Sequence, residues 1–310
     1  MKALLVIRTP FQAWLAQKVL EKEEVSNFDL VYFTQNNSDE DKYYYAQLSI
    51  KASRSQYIFI HRQRFDIFSH ILFKLKAIKW YFFKNYDLVV YASINALVPN
   101  SLISRYKKSE LVTFDDGAAN IVKRGIFYNE PATLRAKLYR IILGASSLDF
   151  IKKRIKRHYS IYPNNSNIVE SNRLIHLNSW KIESNKTTLD EVRTYFIGAP
   201  FEEVMNSDQI ARMVSYIKKL DITAYVAHPR ERKMLDIGVK QLNKNGRIAE
   251  DAVIADAEGR AIRLVGWFSS VMFSLGAVCM QRIVLLPKDS PQSIELAEIC
   301  KKSGCYPIFI

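Results

Sequence analysis

The sequence predicts an α/β protein built as two successive α/β units, on three observations. Short apolar runs of strand character alternate with helix-period stretches. The alternation restarts near residue 191, after a polar interval. Hydrophobic residues make up 48% of the 310 positions, while Gly and Pro together occupy only 19. Alternating strands and helices build a parallel sheet covered on both faces, and a chain of this length suffices for two domains.

Residues 2–7 read as a first buried strand, followed by the loop Arg8-Thr9-Pro10-Phe11-Gln12 and a helix carrying Trp14, Leu15, Val19 and Leu20 at helical spacing. Residues 28–33 and 56–60 read as strands. Residues 65–84 carry the helix-period stripe Phe65, Phe68, Ile71, Leu72, Leu75, Ile78 and Phe82, interleaved with Lys74, Lys76, Lys79, Trp80 and Lys84. That composition fits either a core-facing helix with a solvated lysine face or a helix lying on an anionic membrane. Residues 87–91 form a strand ending at Ala92-Ser93-Ile94-Asn95, residues 101–107 a helix, and residues 111–114 a strand. Residues 134–158 read as a second basic amphipathic helical region. The interval 160–190, rich in Asn and Ser with Pro163, reads as a linker. In the second half, 192–197, 222–227, 263–266 and 282–286 read as strands. Residues 210–220, 231–243, 272–278 and 291–302 read as helices.

Charge and cysteine content narrow the classes. The net charge of +14 is uneven: residues 1–160 carry 26 Lys and Arg against 14 Asp and Glu, leaving the remainder close to balance. A basic first half seeks nucleic acid, an anionic membrane surface or an anionic substrate. Cys279, Cys300 and Cys305 have neither the number nor the spacing of a disulfide framework or a common zinc site, which fits a reduced environment. The apolar run at the N-terminus is too short for a signal sequence core or a membrane span.

Three polar motifs each follow a strand-like run: Phe114-Asp115-Asp116-Gly117, His228-Pro229-Arg230-Glu231 and Phe268-Ser269-Ser270. Open α/β sheets keep their chemistry at the carboxyl ends of strands. Like charges this close push one pKa of the pair up, which suits a general base; the bland alternative is an acidic turn. His228, held off helical angles by Pro229, suits proton or hydrogen-bond donation to a leaving phosphate; otherwise it is a loop histidine. Ser269 and Ser270 at a helix start suit a phosphate seat, or a plain cap. Gly198-Ala199-Pro200 is a sharp turn able to lie against a nucleotide, with Glu202 and Glu203 beyond it as rival bases. Thr9, Gln12, Ser93 and Asn95 are placed to reach the same edge of the first sheet.

Asp-Asp-Gly, His-Pro and Ser-Ser in this order resemble the bacterial sialyltransferases. Thr9-Pro10-Phe11-Gln12, Phe196-Ile197-Gly198-Ala199-Pro200 and His228-Pro229-Arg230-Glu231 resemble their lipooligosaccharide family most, across essentially the whole chain. The resemblance implies a GT-B-like fold of two Rossmann-type domains whose parallel sheets face each other across a cleft. An acceptor-side domain would span 1–160, a linker 161–190, and a nucleotide-sugar-binding domain 191–310. It implies an inverting transfer of sialic acid from CMP-sialic acid to a terminal galactose of lipooligosaccharide or capsule, α2,3 in linkage, without metal or other cofactor. Carried over by position, His228 is the acid or phosphate hydrogen-bond donor, and Ser269 and Ser270 hold the phosphate. Gly198, Pro200, Pro229, Arg230 and Glu231 line the donor side. The base is Asp115 or Asp116, or else Glu202 or Glu203; Asp116, Thr9, Gln12, Ser93 and Asn95 line the acceptor side. The expected setting is cytoplasmic, peripheral at the inner face of a bacterial inner membrane, as a homodimer. A transferase using another nucleotide sugar, such as a glucose or galactose donor, is the first alternative. A basic nucleic-acid-binding protein is the second, and no nucleic-acid motif supports it.

Overall fold

The computed structural model describes residues 1–61, 66–82, 85–130, 133–162, 164–177 and 188–310. The chain divides into two compact units, one comprising Met1–Ser160 with Ser166–Leu177, the other Ile161–Asn165 with Asn178–Ile310.

In unit 1 the strands are β1 (Ala3–Ile7), β2 (Phe28–Thr34), β3 (Arg54–Phe59), β4 (Leu88–Tyr91), β5 (Glu110–Phe114), β6 (Ile155–Ser160) and β7 (Leu174–His176). They form one sheet in the order β3-β2-β1-β4-β5-β6-β7, with every pairing parallel. The first two connections carry α1 (Pro10–Lys22) and α2 (Asp39–Lys51). Later ones carry α3 (Asp66–Lys76), α4 (Ile78–Phe82), α5 (Leu97–Ile103), α6 (Leu134–Leu143) and α7 (Leu148–Arg154). Central strands buried on both faces explain the near-continuous apolar runs of β1, β2 and β4. Over one face, Val6, Phe33 and Tyr91 pack with Phe73, Trp80, Leu102 and Ile151.

Unit 2 contains β8 (Thr188–Ile197), α8 (Ser207–Ile217), β9 (Ala224–Val226), α9 (Ala249–Ala257), β10 (Arg260–Gly266), α10 (Ser270–Ser274), β11 (Cys279–Leu286), α11 (Ser293–Lys302) and β12 (Tyr306–Phe309). Its sheet runs β12-β11-β10-β8-β9, again parallel throughout. Among the described residues no helix is long and apolar enough to cross a membrane.

Several expectations need correction. The helical reading of 134–158 holds only to Arg154. From Ile155 the backbone pairs with β5, Leu111 facing Ile155 and Thr113 facing His158, and the β-branched Ile155 that completed a helical stripe is a buried strand residue. Residues 231–243 form no helix. Their backbone groups serve the open edge of β9: Tyr225 N–H donates to Lys240 O at 2.9 Å, and Leu242 N–H to Tyr225 O at 2.7 Å. Gly238 at φ 78° interrupts the segment as well. The interval read as a linker contains β7, an added strand of the first sheet; its residues 178–187 lie outside the described residues, as do Pro163, Phe65 and Lys84. The apolar stripe of 65–84 faces outward at Phe68, Ile71, Leu72, Leu75 and Ile78, all exposed, while Ser69, His70 and Phe73 turn inward.

Gly266 closes β10 opposite Ile197. A β-carbon there would lie 2.7 Å from the Ile197 carbonyl oxygen and 3.0 Å from its Cβ, and a central strand cannot shift to make room. We expect Gly266→Ala to destabilise the fold by about 1–3 kcal/mol, read as a lowered thermal melting temperature; an unchanged melt would show that β8 and β10 separate more freely than their register implies.

Candidate active site

Both sheets reverse strand order once, unit 1 between β1 and β4 and unit 2 between β8 and β10. Open parallel sheets bind ligands in the crevice outside the carboxyl ends at such a reversal. The turns after these four strands hold Gln12, Ser93, Gly198 and the serine pair.

In unit 1, Thr9 caps α1 by accepting the Gln12 N–H at 3.2 Å, and Pro10 takes a position whose N–H would go unused. This cap turns buried Gln12 under the sheet edge. Its Nε2 donates to Ser93 Oγ at 2.8 Å and to Asp116 Oδ1, while its Oε1 accepts the Arg8 N–H at 2.9 Å. Ser93 Oγ donates to Asp116 Oδ2 at 2.9 Å, and Asp116 N–H donates to Asn120 Oδ1 at 2.8 Å. Both carboxylate oxygens of Asp116 are therefore held from the turns after β1 and β4. Burial raises the Asp116 pKa, opposed by the Gln12 hydrogen bond, the Arg8 charge and the Ser93 hydroxyl. Asn95, half-buried in the same loop as Ser93, lies outside this hydrogen-bonded cluster.

Asp115 belongs to a separate, enclosed network. Its Oδ1 receives His158 Nε2 at 3.1 Å and Asn167 Nδ2 at 2.9 Å, and His158 Nδ1 meets Thr113 Oγ1 at 2.8 Å. Thr113, Asp115, His158 and Ser160 are all 0% exposed. The Asp-Asp pair thus divides, with Asp115 inside the sheet edge and Asp116 half-buried at the reversal point.

In unit 2 the order β10-β8-β9 sets three turns side by side along the carboxyl edge. Gly198 follows β8, and any side chain there would strike the Glu231 carboxylate and come within 2.9 Å of the Tyr225 ring. Glu231 accepts the Tyr225 hydroxyl and, at 3.2 Å, the His228 N–H. Burial raises its pKa against those two hydrogen bonds. The Arg230 N–H donates to His228 Nδ1 at 3.0 Å. Because a backbone N–H only donates, the neutral imidazole carries its proton on Nε2. Burial first, then the charges of Arg230 and Lys244, lower the His228 pKa to about 4. At neutral pH His228 is thus an uncharged hydrogen-bond donor.

Pro229 shapes that turn, closed by Glu231 N–H on His228 O at 3.0 Å. Pro200 opens a short 3-10 turn, Phe201–Glu203, anchored by buried Phe201. Glu203 and Arg230 form an exposed ion pair at 3.1 Å, and Glu202 is exposed. After β10, Ser269 precedes α10 and Ser270 begins it. Ser269 Oγ is buried and, among the described residues, has no hydrogen-bond partner. Buried hydroxyls are normally satisfied, which makes this one a candidate contact for a bound group. Behind it, buried Glu250 on α9 accepts from Ser274 Oγ at 2.8 Å, and burial raises its pKa to about 7. Among the described residues no group of three His, Cys, Asp or Glu converges as a metal site.

The profile for Glycosyltransferase family 52 matches residues 26–288. The chain belongs to glycosyltransferase family 52. Its relatives include the CMP-N-acetylneuraminate:beta-galactoside alpha-2,3-sialyltransferase of Pasteurella multocida, 28% identical across 88% of this chain and 86% of that protein. The N-acetyllactosaminide alpha-2,3-sialyltransferase of Haemophilus influenzae is 31% identical across 88% of each. Among solved structures, the glycotransferase of kitacinnamycin superposes with a TM-score of 0.52 at 9% identity, covering 99% of this chain and 86% of its own. Acinetobacter baumannii MurG gives 0.51 at 10%, covering 100% and 86%. The structural likeness establishes the GT-B-like fold class and nothing finer. The family 52 assignment makes the chain a glycosyltransferase.

The sequence reading missed Arg8, Asn120, His158, Asn167 and Glu250. His158 and Asn167 were hidden by the helix and linker readings of their segments. The other three lack any motif and owe their place to topology.

The His228 geometry has a titration consequence. We expect NMR of the labelled imidazole to show no titration between about pH 6 and 8, a range where exposed histidines titrate, and a midpoint near 4. The unfolded imidazole titrates near 6.5, so the unfolded chain binds more protons between the two values. This contribution to stability is complete above about pH 6.5 and is lost as pH falls toward 4. A midpoint near 6.5 in the folded protein would contradict the half-buried placement beside the charges of Arg230 and Lys244.

Proposed function

We propose that this family 52 glycosyltransferase moves sialic acid from CMP-sialic acid to a terminal galactose of a bacterial surface glycan, with α2,3 linkage and inversion. The observation that carries the reading is the pair of donors at the unit 2 edge: the Nε2–H of neutral His228 and the hydroxyl of Ser269, which has no hydrogen-bond partner among the described residues. A departing phosphate needs such donors most as its charge develops. The Pasteurella relative is named for a CMP-N-acetylneuraminate donor, which already carries the leaving group, and a β-galactoside acceptor, and the Haemophilus relative for an N-acetyllactosaminide acceptor.

In this reading, Ser269, Ser270 and His228 hold the CMP phosphate, with Gly198, Pro200 and the Pro229-Arg230-Glu231 turn shaping the nucleotide side. Asp116 rather than Asp115 is the base, because Asp115 is enclosed by His158 and Asn167. Asp116 takes the proton of the galactose 3-hydroxyl. The oxygen attacks the anomeric carbon, and the bond to the phosphate oxygen breaks with its electron pair leaving on CMP. One direct displacement inverts the centre. Gln12 and Ser93 fix the carboxylate, and its raised pKa makes it a stronger base. No metal is assigned a step. The acceptor is a glycan carried on lipid at the cytoplasmic face of the inner membrane.

The test is lactose-dependent CMP release from CMP-sialic acid by the purified chain, with EDTA present. We expect turnover to survive EDTA and to fall roughly a hundredfold or more in His228→Ala. Asp116→Ala should bind CMP normally and fail to transfer. Near-normal transfer by Asp116→Ala would pass the base role to Glu202 or Glu203. Release only from a different nucleotide sugar would overturn the donor assignment.

A further inference from the structure

Helices on a sheet ordinarily bury their apolar stripe and expose their polar side. Two helices of unit 1 instead leave most of their apolar side chains exposed. α3 sets Ile71 and Leu75, 45% and 60% exposed, on its outer side, and Ile78 of α4 continues the row at 51%. α6 exposes Leu134 at 74%, Leu138 at 49% and Ile141 at 75%, spaced as one helical stripe, while Leu143 alone of its residues is buried. Exposing so many branched apolar side chains in one region marks an interaction surface.

The two stripes share one side of the first sheet. Phe73 of α3 and Trp80 of α4 sit in the same core cluster as Val98 and Leu102 of α5, and α5 packs against α6. Basic residues edge both stripes: Lys74 and Lys76 in the last turn of α3 and Lys79 on α4, with Arg135 and Lys137 on α6. Residues 1–160 carry 26 basic against 14 acidic side chains, so the surface is both apolar and cationic.

We propose that the outer faces of α3 and α6 dock this protein on the surface of an anionic lipid bilayer. Ile71, Leu75, Leu134 and Ile141 would enter the boundary between headgroups and acyl chains, and the flanking lysines and arginines would meet lipid phosphates. A second copy of the chain fits this surface less well, because it would set one cationic rim against another. The docking brings unit 1, the acceptor side, to a lipid-carried glycan. It rests on the proposed function for that purpose, but its chemistry does not.

The experiment is sedimentation of the full chain with vesicles of phosphatidylglycerol and phosphatidylethanolamine, against phosphatidylcholine vesicles, without donor or acceptor. We expect binding to the anionic vesicles, weakened by salt, and reduced about tenfold or more by the double substitution Leu75→Glu and Ile141→Glu. Both positions are exposed, so circular dichroism and lactose turnover of the variant should match the parent. No binding to anionic vesicles would overturn the inference, as would equal binding by the variant. Concentration-dependent dimers abolished by the same substitutions would assign the surface to self-association instead. Vesicle binding without sialyl transfer would refute the proposed function and leave the docking intact. Transfer to lactose without vesicle binding would do the opposite.

Discussion

The single reversal of strand order in each parallel sheet is the constraint on which the chemistry of this molecule depends. A parallel sheet sends every strand-to-helix turn to one edge, and the helices on either side of a reversal leave in opposite directions. That divergence opens the crevice. In unit 1 it separates the turn after β1 from the turn after β4, leaving Gln12 and Ser93 to converge on Asp116 from two sides. In unit 2 it separates Gly198 from Ser269. Neither arrangement would survive a one-residue slip of β1 or β8 against its neighbours, since the side chains would exchange faces.

Within that frame, buried polar groups are assigned by completeness of satisfaction. The Thr113–His158–Asp115–Asn167 chain is enclosed and internally bonded, so it behaves as part of the core. Asp116 is half-buried, and its carboxylate is held rather than consumed. Ser269 Oγ has no hydrogen-bond partner among the described residues. The contrast separates a network closed within the fold from candidate ligand contacts, although both sets contain an aspartate and a hydroxyl residue.

Much of this was legible in the sequence. The alternation of strands and helices, the restart after the polar interval and the three motifs at strand ends follow from periodicity and turn chemistry, which are local. The first five strands and α1 follow directly. α2 escaped notice because only Tyr44 and Leu48 of its hydrophobic residues are buried, giving no broad stripe, although its Ser38–Asp41 capping box was a readable signal. β6 and the segment 231–243 went astray because their outcome depends on a distant partner strand that competes for backbone hydrogen bonds. The choice between Asp115 and Asp116 was beyond local reading, because it turns on His158, 43 residues away. The outward face of α3 was equally hidden: a period shows that a helix is two-sided, but not which side meets the sheet.

Gly198 and Glu231 occupy one space. The absent side chain after β8 is what lets the carboxylate after β9 reach back to Tyr225 and the His228 backbone. The two turns are therefore not independent modules. Any effort to graft a different loop after β8 would dislodge the histidine turn unless both segments were exchanged together. The same coupling predicts that these two turns drift as a unit among descendants of this chain.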